Sequence, residues 1–428
     1  MTSNNQSSTQ IRNSKLFELV KNLTNSLIAA LDRPFSEDYG SWYDRVKVVI
    51  KGNPELIAKI LEKRPDLEEE KLSRCVVNSE RCVHYLSEGD FSRKPPHAST
   101  SEKRIEELSL FLEKLFKERD RIQQFFSKEG AKRHFEQIFK QEYMRYEKYL
   151  YSDEVTDFLL CPLQNFQATK DIELENQLAI REITQDEFHS LIETKGEKYL
   201  ECESYPEFVL FVPFRTEWVD YIETTLTALR TLKKERVGLN EIYIGYSFPF
   251  KPWSPAKAPQ ETIWDQKQAV ERYLMSNSEN EKLKNLWKIV DRAKKVGYLR
   301  ASIRRFNFGH SRERLEDRWV DFFISLESLF SKESESADVS YRLATRISLA
   351  LENKFDERKL VRKKIKNWYD IRSKIVHGTH TSIDERQLEE LEETLRASLL
   401  WFMNQNEYSS HDEIIDLLDL APVELRQK

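Results

Sequence analysis

Apolar residues recur at helical spacing over most of the chain. Leu16, Leu19, Val20 and Leu23 fall at i, i+3, i+4 and i+7 and predict an amphipathic helix. Similar short pieces run to about residue 90, separated by Pro34, Gly40, Gly52, Pro54 and Pro65. The Pro-Pro of 93–101 cannot continue a helix and predicts a loop. Ser99 with Glu102 has capping-box spacing, and the stretch 102–150, dense in Glu, Lys, Leu and Phe, predicts one or two long helices. Residues 1–14 are polar and read as a disordered tail.

The pattern changes near residue 155. EFVLFVPF (207–214) and EIYIGYSFPF (241–250) are short apolar runs rich in aromatic and β-branched residues, which predict strands. Thr184 with Glu187 marks a helix start, and Trp218, Ile222, Leu226 and Leu229 mark a further helix between the two strands. KPWSPAKAP (251–259) is the densest proline cluster and reads as a linker.

From about 280 to 406 helical periodicity returns. Leu283, Leu286, Ile289 and Val290 open a first helix, which Leu299, Ile303 and Phe306 continue past Gly297. RFNFGHSRE (305–313) bounds a second, carrying Leu315, Trp319, Phe322, Phe323, Leu326 and Phe330. A third carries Val339, Leu343, Ile347 and Ala350, and a fourth runs from about Glu357 to Val376 and stops at Gly378. Ser382 and Glu385 are read as the cap of a fifth, with Leu388, Leu391, Leu395, Leu399 and Phe402. Long helices with short loops pack antiparallel. The expected fold is mainly α: an N-terminal helical region (1–150), a small mixed α/β middle region (151–275), a C-terminal antiparallel helical bundle (280–408) and a tail (409–428).

Composition narrows this picture. With 428 residues, the chain suits two or three domains at roughly 100–200 residues each. Only 10 Gly and 13 Pro disfavour an all-β sandwich, which needs many turns. The net charge of -5 means that any nucleic-acid binding must come from a local patch. The polar N-terminus and the short apolar runs imply neither a secretory signal nor a membrane span, so the reading is cytoplasmic. The four cysteines, Cys75, Cys82, Cys161 and Cys202, lack CxxC spacing and read as reduced thiols. Cys75, Cys82 and His84 suit one helix face better than a metal cluster, and no cofactor or metal is expected.

The fourth bundle helix, ERKLVRKKIKNWYDIRSKIVHG (357–378), carries the chemistry. Ile365, Trp368, Tyr369, Ile375 and Val376 define its buried stripe, and Arg372 falls inside that stripe. A guanidinium there needs a carboxylate or a polar cleft. His377 lies on the stripe's edge in the last turn, with Asp370 and Ser373 on its side of the helix. Two readings fit. In one, Arg372 is bridged to an acid and His377 caps a helix end. In the other, Arg372 supplies a planar fork for phosphate and His377 moves protons near neutral pH. Residues 356–374 hold eight Lys or Arg, including Arg362, Lys363, Lys366 and Lys374, against three acids. That ridge is either a solvated face or an RNA-backbone contact. Aromatics at 240–264 suit core packing better than base stacking. Arg305 and His310 repeat the Arg-x4-His spacing and are taken as a chance pair.

YDIRSKIVHG (369–378), with LEDRWVDFFISLESLF (315–330) and RRFN (304–307) upstream, resembles the Apea-like branch of the HEPN superfamily. The resemblance covers roughly residues 280–405. It implies a HEPN-like bundle and a metal-independent endoribonuclease in which Arg372 contacts the scissile phosphate and His377 does acid–base work. It also implies Glu327 as partner of Arg372, Ser373 as the polar residue following the arginine, and a homodimer through the C-terminal bundle. That dimer would bring two His and two Arg to one cleft. The family context implies antiviral (phage) defence by abortive infection, with the N-terminal regions sensing or regulating. The alternatives are a non-catalytic HEPN scaffold binding RNA, nucleotide or a partner protein, and a toxin held by an antitoxin or other regulatory partner.

Overall fold

The computed structural model describes residues 11–31, 46, 50, 52–63, 100–125, 128–151, 157–195, 207–213, 217–246, 253–258, 262, 271–332, 338–378, 382–405 and 410–424. The chain is mainly helical with a small antiparallel sheet in the middle. It divides into two compact units. The first comprises residues 1–158, 193–196 and 244–256, and the second 159–192, 197–243 and 257–428. Residues 1–10, the loop at 93–99, Ser99, Cys75, Cys82, His84 and Cys202 lie outside the described residues.

In the first unit, α1 (Ser14–Leu31), α2 (Pro54–Lys63), α3 (Thr100–Phe125) and α4 (Lys128–Leu150) supply one apolar core. Leu16, Val20 and Leu23 are fully buried there, as the periodicity predicts, beside Phe111, Tyr143 and Tyr146. Asn13 fixes the start of α1, because its Oδ1 accepts from the Leu16 N–H at 2.9 Å. The buried Glu147 takes the Arg12 and Asn13 N–H groups at 2.8 and 2.7 Å, tying that end to α4.

The second unit opens with β1 (Phe158–Gln164), β2 (Phe166–Ala168), β3 (Ile172–Glu173) and β4 (Ala179–Glu182). Then follow α5 (Gln185–Lys195), β5 (Phe208–Pro213), α6 (Trp218–Leu232), β6 (Gly238–Leu239) and β7 (Glu241–Gly245). The strand order β3-β4-β5-β1 continues to β7, with β6 antiparallel on β1. β3, β4 and β5 pair antiparallel, with Ile180 opposite Leu210. Thr184 caps α5 as its spacing predicts: its hydroxyl accepts from Glu187 N–H at 3.3 Å, and the Glu187 carboxylate accepts from Thr184 N–H at 3.0 Å. The stretch read as a linker contains a strand, β8 (Ser254–Lys257), of which 254–256 belong to the first unit; in the second unit β9 (Tyr273–Met275) pairs parallel with β2.

The helical part contains α7 (Asn280–Ala293), α8 (Gly297–Ser311), α9 (Leu315–Phe330), α10 (Val339–Leu351), α11 (Phe355–Val376), α12 (Glu385–Met403) and α13 (His411–Glu424). The expected first helix is two, because the chain leaves helix at Val296 and restarts at Gly297. The expected break at 305–313 is narrower, since Arg305–Ser311 complete α8 and only Arg312–Arg314 turn. Asp384, not Ser382, caps α12 by accepting from Arg386 N–H at 3.2 Å. The expected tail holds α13, with Ile414, Ile415 and Leu418 buried. There Asp419 grips the buried Arg346 with two contacts at 2.8 and 2.7 Å.

α9 is the central rod and packs against α8, α10, α11 and α12. Trp319, Phe322, Phe323, Leu326, Leu329 and Phe330 are fully buried on it. α8 approaches closely through small residues. Ser302 and Ser325 hydroxyls meet at 2.8 Å, and a Cβ on Gly309 would stand 2.2 Å from the Phe322 ring. Gly309→Ala is therefore expected to destabilise the protein by about 1–3 kcal/mol through overpacking. Gly297, at the first position of α8, has nothing within 4 Å of a built Cβ. Gly297→Ala should be neutral or stabilising by up to ~1 kcal/mol. Urea unfolding of both variants beside wild type checks the contrast.

Candidate functional site

α11 is held to α9 by aromatic contacts. Trp368 and Tyr369 meet Trp319 and Phe323 edge-on at 6.3 and 5.9 Å, and the Trp319 Nε1–H donates to the Trp368 carbonyl at 3.4 Å. Ile365 and Trp368 are buried as the stripe predicts. Val376, the last residue of α11, is not: it is 52% exposed. Phe355 and Leu360, earlier on α11, are exposed as well.

This packing sets Arg372 against α9. Its Nη2 donates to Glu327 Oε2 at 3.2 Å, the pairing expected for these two residues. Its Nε is enclosed and has no hydrogen-bond acceptor among the described residues. Burial raises the Glu327 carboxyl above its ordinary value, and the Arg372 charge and hydrogen bond pull it back only in part. Desolvation therefore outweighs the ion pair.

His377 ends the helix. Its N–H reaches the Ser373 carbonyl at 3.0 Å, and Gly378 follows with φ +72° while its N–H reaches the Ile375 carbonyl at 3.0 Å. A left-handed glycine there stops the helix without strain and leaves His377 exposed at the C-terminal end. Ser373 is half-buried and Asp370 exposed, one and two turns before it.

The ridge residues Lys363, Lys366 and Lys374 are exposed, and Arg362 is partly so. Two of them meet a residue that sequence reasoning missed. Tyr341, 53% exposed on α10, carries the Arg362 guanidinium at 5.0 Å and the Lys366 ammonium at 5.2 Å from its ring centre. The signal was an isolated aromatic at a polar helix start, which periodicity passes over. Lys364, by contrast, is tied to Glu390 at 2.9 Å.

Arg305 and His310 do not form a site together. Arg305 pairs with Asp321 at 2.8 Å toward the surface, while His310 is buried between Phe306 and Phe322. Most of the described aromatics at 240–264 are core residues, with Tyr243 and Tyr246 buried. Cys161 is buried in β1, and burial pushes its thiol far up, which makes it unreactive. Among the described residues no cluster of His, Cys, Asp and Glu has metal-site geometry, and no helix is long and apolar enough to cross a membrane.

The Arg372–Glu327 pair retains 25% and 21% side-chain exposure, so Arg372→Ala should cost about 1 kcal/mol rather than the ~3–5 kcal/mol of a sealed pair. It also removes both influences that lower the Glu327 carboxyl, which will then titrate higher than in wild type. Because the folded value lies above the unfolded one, Glu327 favours folding below the ordinary value of 4.5 and loses that contribution as pH rises through its folded value. Carbon-13 NMR titration of glutamate side chains in both proteins measures the shift.

No family model, curated protein or solved structure matches the chain.

Proposed function

We propose that the C-terminal helices form a HEPN-like bundle that cleaves RNA without a metal, with Arg372 and His377 as the reacting pair. The observation that carries this reading is the state of Arg372. A guanidinium half-committed to Glu327, with its Nε lacking an acceptor, stands on the helix that ends in an exposed imidazole. An enclosed donor without an acceptor costs ~1–3 kcal/mol, which an incoming phosphate oxygen would relieve after a small rotation. The cationic ridge along the same helix supplies sequence-independent attraction for the strand.

The chemistry balances on RNA alone. The 2′-oxygen attacks phosphorus and its proton passes to a base. The P–O5′ bond breaks, and the 5′-oxygen takes a proton from an acid. The products are a 2′,3′-cyclic phosphate and a 5′-hydroxyl. Arg372 offsets the charge that develops on the phosphorane. His377 supplies one proton-transfer group per chain, so a homodimer through the bundle supplies the second. The exposed Val376, next to His377, is the apolar surface such a contact would cover. Phage defence in the cytoplasm, with the N-terminal regions or an antitoxin restraining the nuclease, is the setting that fits an enzyme harmful to its own cell.

One observation favours a second reading, a non-catalytic scaffold binding RNA, nucleotide or protein. Glu327 occupies the arm of Arg372 that a phosphate would take. RNA cleavage followed on gels in EDTA separates the two. Arg372→Ala and His377→Ala are each expected to lower the rate by about 10²–10⁴. Uncut RNA with retained binding in wild type would favour the scaffold. Separately, Tyr341→Ala should weaken single-stranded RNA binding by about 1–3 kcal/mol, while Tyr341→Phe keeps it, because a base stacks on either ring. Fluorescence anisotropy of a labelled oligonucleotide measures both.

A further inference from the structure

One side of α11 carries an ordered row. Phe355, Lys359, Arg362, Lys366, Ser373 and His377 fall at i, i+4, i+7, i+11, i+18 and i+22, which puts them on one face of the helix. Phe355 opens the row and is 79% exposed, more than any other large apolar side chain among the described residues. A ring left in water at a helix start gains nothing for the fold. Tyr341 stands over the middle of the row, against Arg362 and Lys366. His377 closes it.

The cations of the row are uncommitted. Lys354 pairs with Glu357 and Lys364 with Glu390, whereas Lys359, Arg362 and Lys366 form no ion pair with a described residue. Lys363 and Lys374 flank them, against Asp356 and Asp370. Cations without counter-ions along one line suit a polyanion. Rings at two points of that line suit a polyanion whose units have flat faces to stack. A membrane surface fits less well. Leu360, also exposed, lies about 140° round the helix from Phe355, so the two make no single insertable face.

We propose that Phe355 is the far stacking platform of an RNA track along α11, so that a strand reaching His377 is also held at the opposite end of the helix. This rests on the RNA reading above and adds a length to it. At 1.5 Å per residue the row is about 33 Å long. Bases stacked at ~3.4 Å would fill it with about ten nucleotides, and a drawn-out strand with fewer.

Fluorescence anisotropy of the full chain with labelled 2′-O-methyl oligonucleotides of about 6, 12 and 20 nucleotides tests this. Affinity should rise steeply from the 6-mer to the 12-mer and little beyond. Phe355→Ala and Phe355→Leu should each weaken the 12-mer about tenfold or more and shrink its advantage over the 6-mer, while Phe355→Trp keeps both. Circular dichroism confirms that the variants fold. Unchanged affinity in Phe355→Ala, Phe355→Leu binding like wild type, or equal losses at both lengths would overturn the assignment. So would tighter binding of phosphatidylserine vesicles or polyglutamate than of the 12-mer. The 2′-oxygen of these probes is capped, so the outcome does not depend on cutting. Unblocked RNA left whole, with Phe355 still required for binding, would remove the nuclease reading alone, and no binding of the 12-mer by wild type would remove both.

Discussion

The burial of α9 on nearly every side is the constraint from which the rest of the helical part follows. A rod carrying Trp319, Phe322, Phe323, Leu326, Leu329 and Phe330 in one stretch must be surrounded. α8, α10, α11 and α12 surround it, and α8 comes nearest because Ser302 and Gly309 present almost no side chain. Close-packed interiors tolerate little added volume at such a crossing. α9 therefore acts as the reference against which the polar groups of its neighbours are placed.

Both polar regions hang from that rod. Glu327, near its C-terminal end, receives Arg372 from α11. Arg318, near its N-terminal end, shares Glu392 with Arg396 of α12. The two regions differ in exposure. Arg372 is partly open to solvent, so its pairing with Glu327 is soft and exchangeable. Arg318 and Arg396 are buried, and each is held by Glu392 and by a backbone carbonyl, of Gly309 and Arg230 respectively, where the low dielectric strengthens those contacts.

Much of this was legible in the sequence, for reasons that differ by element. The periodicities of α1, α6 and α9 read true because each buries a continuous stripe, as Leu16, Trp218 and Trp319 show. The need for a partner at Arg372 was readable because a guanidinium inside an apolar stripe demands a carboxylate or a polar cleft, whereas Glu327 itself was implied only by the family resemblance. The break at Val296 was hidden, since its flanks keep one apolar register. The helix at 411–424 was hidden by its short polar lead. Tyr341, as a single exposed ring, had no pattern to betray it. The Arg318–Glu392–Arg396 group joins residues more than seventy positions apart, and its acids look like surface charges until α12 turns them inward.

The grip of Asp419 on Arg346 gives the last described helix a structural duty. A version of the chain shortened before position 411 would strip a sealed guanidinium of its two-pronged counterion and uncover the apolar ground beneath Ile415. Residues 411–424 therefore belong to the bundle's integrity, and a purification handle should not replace them.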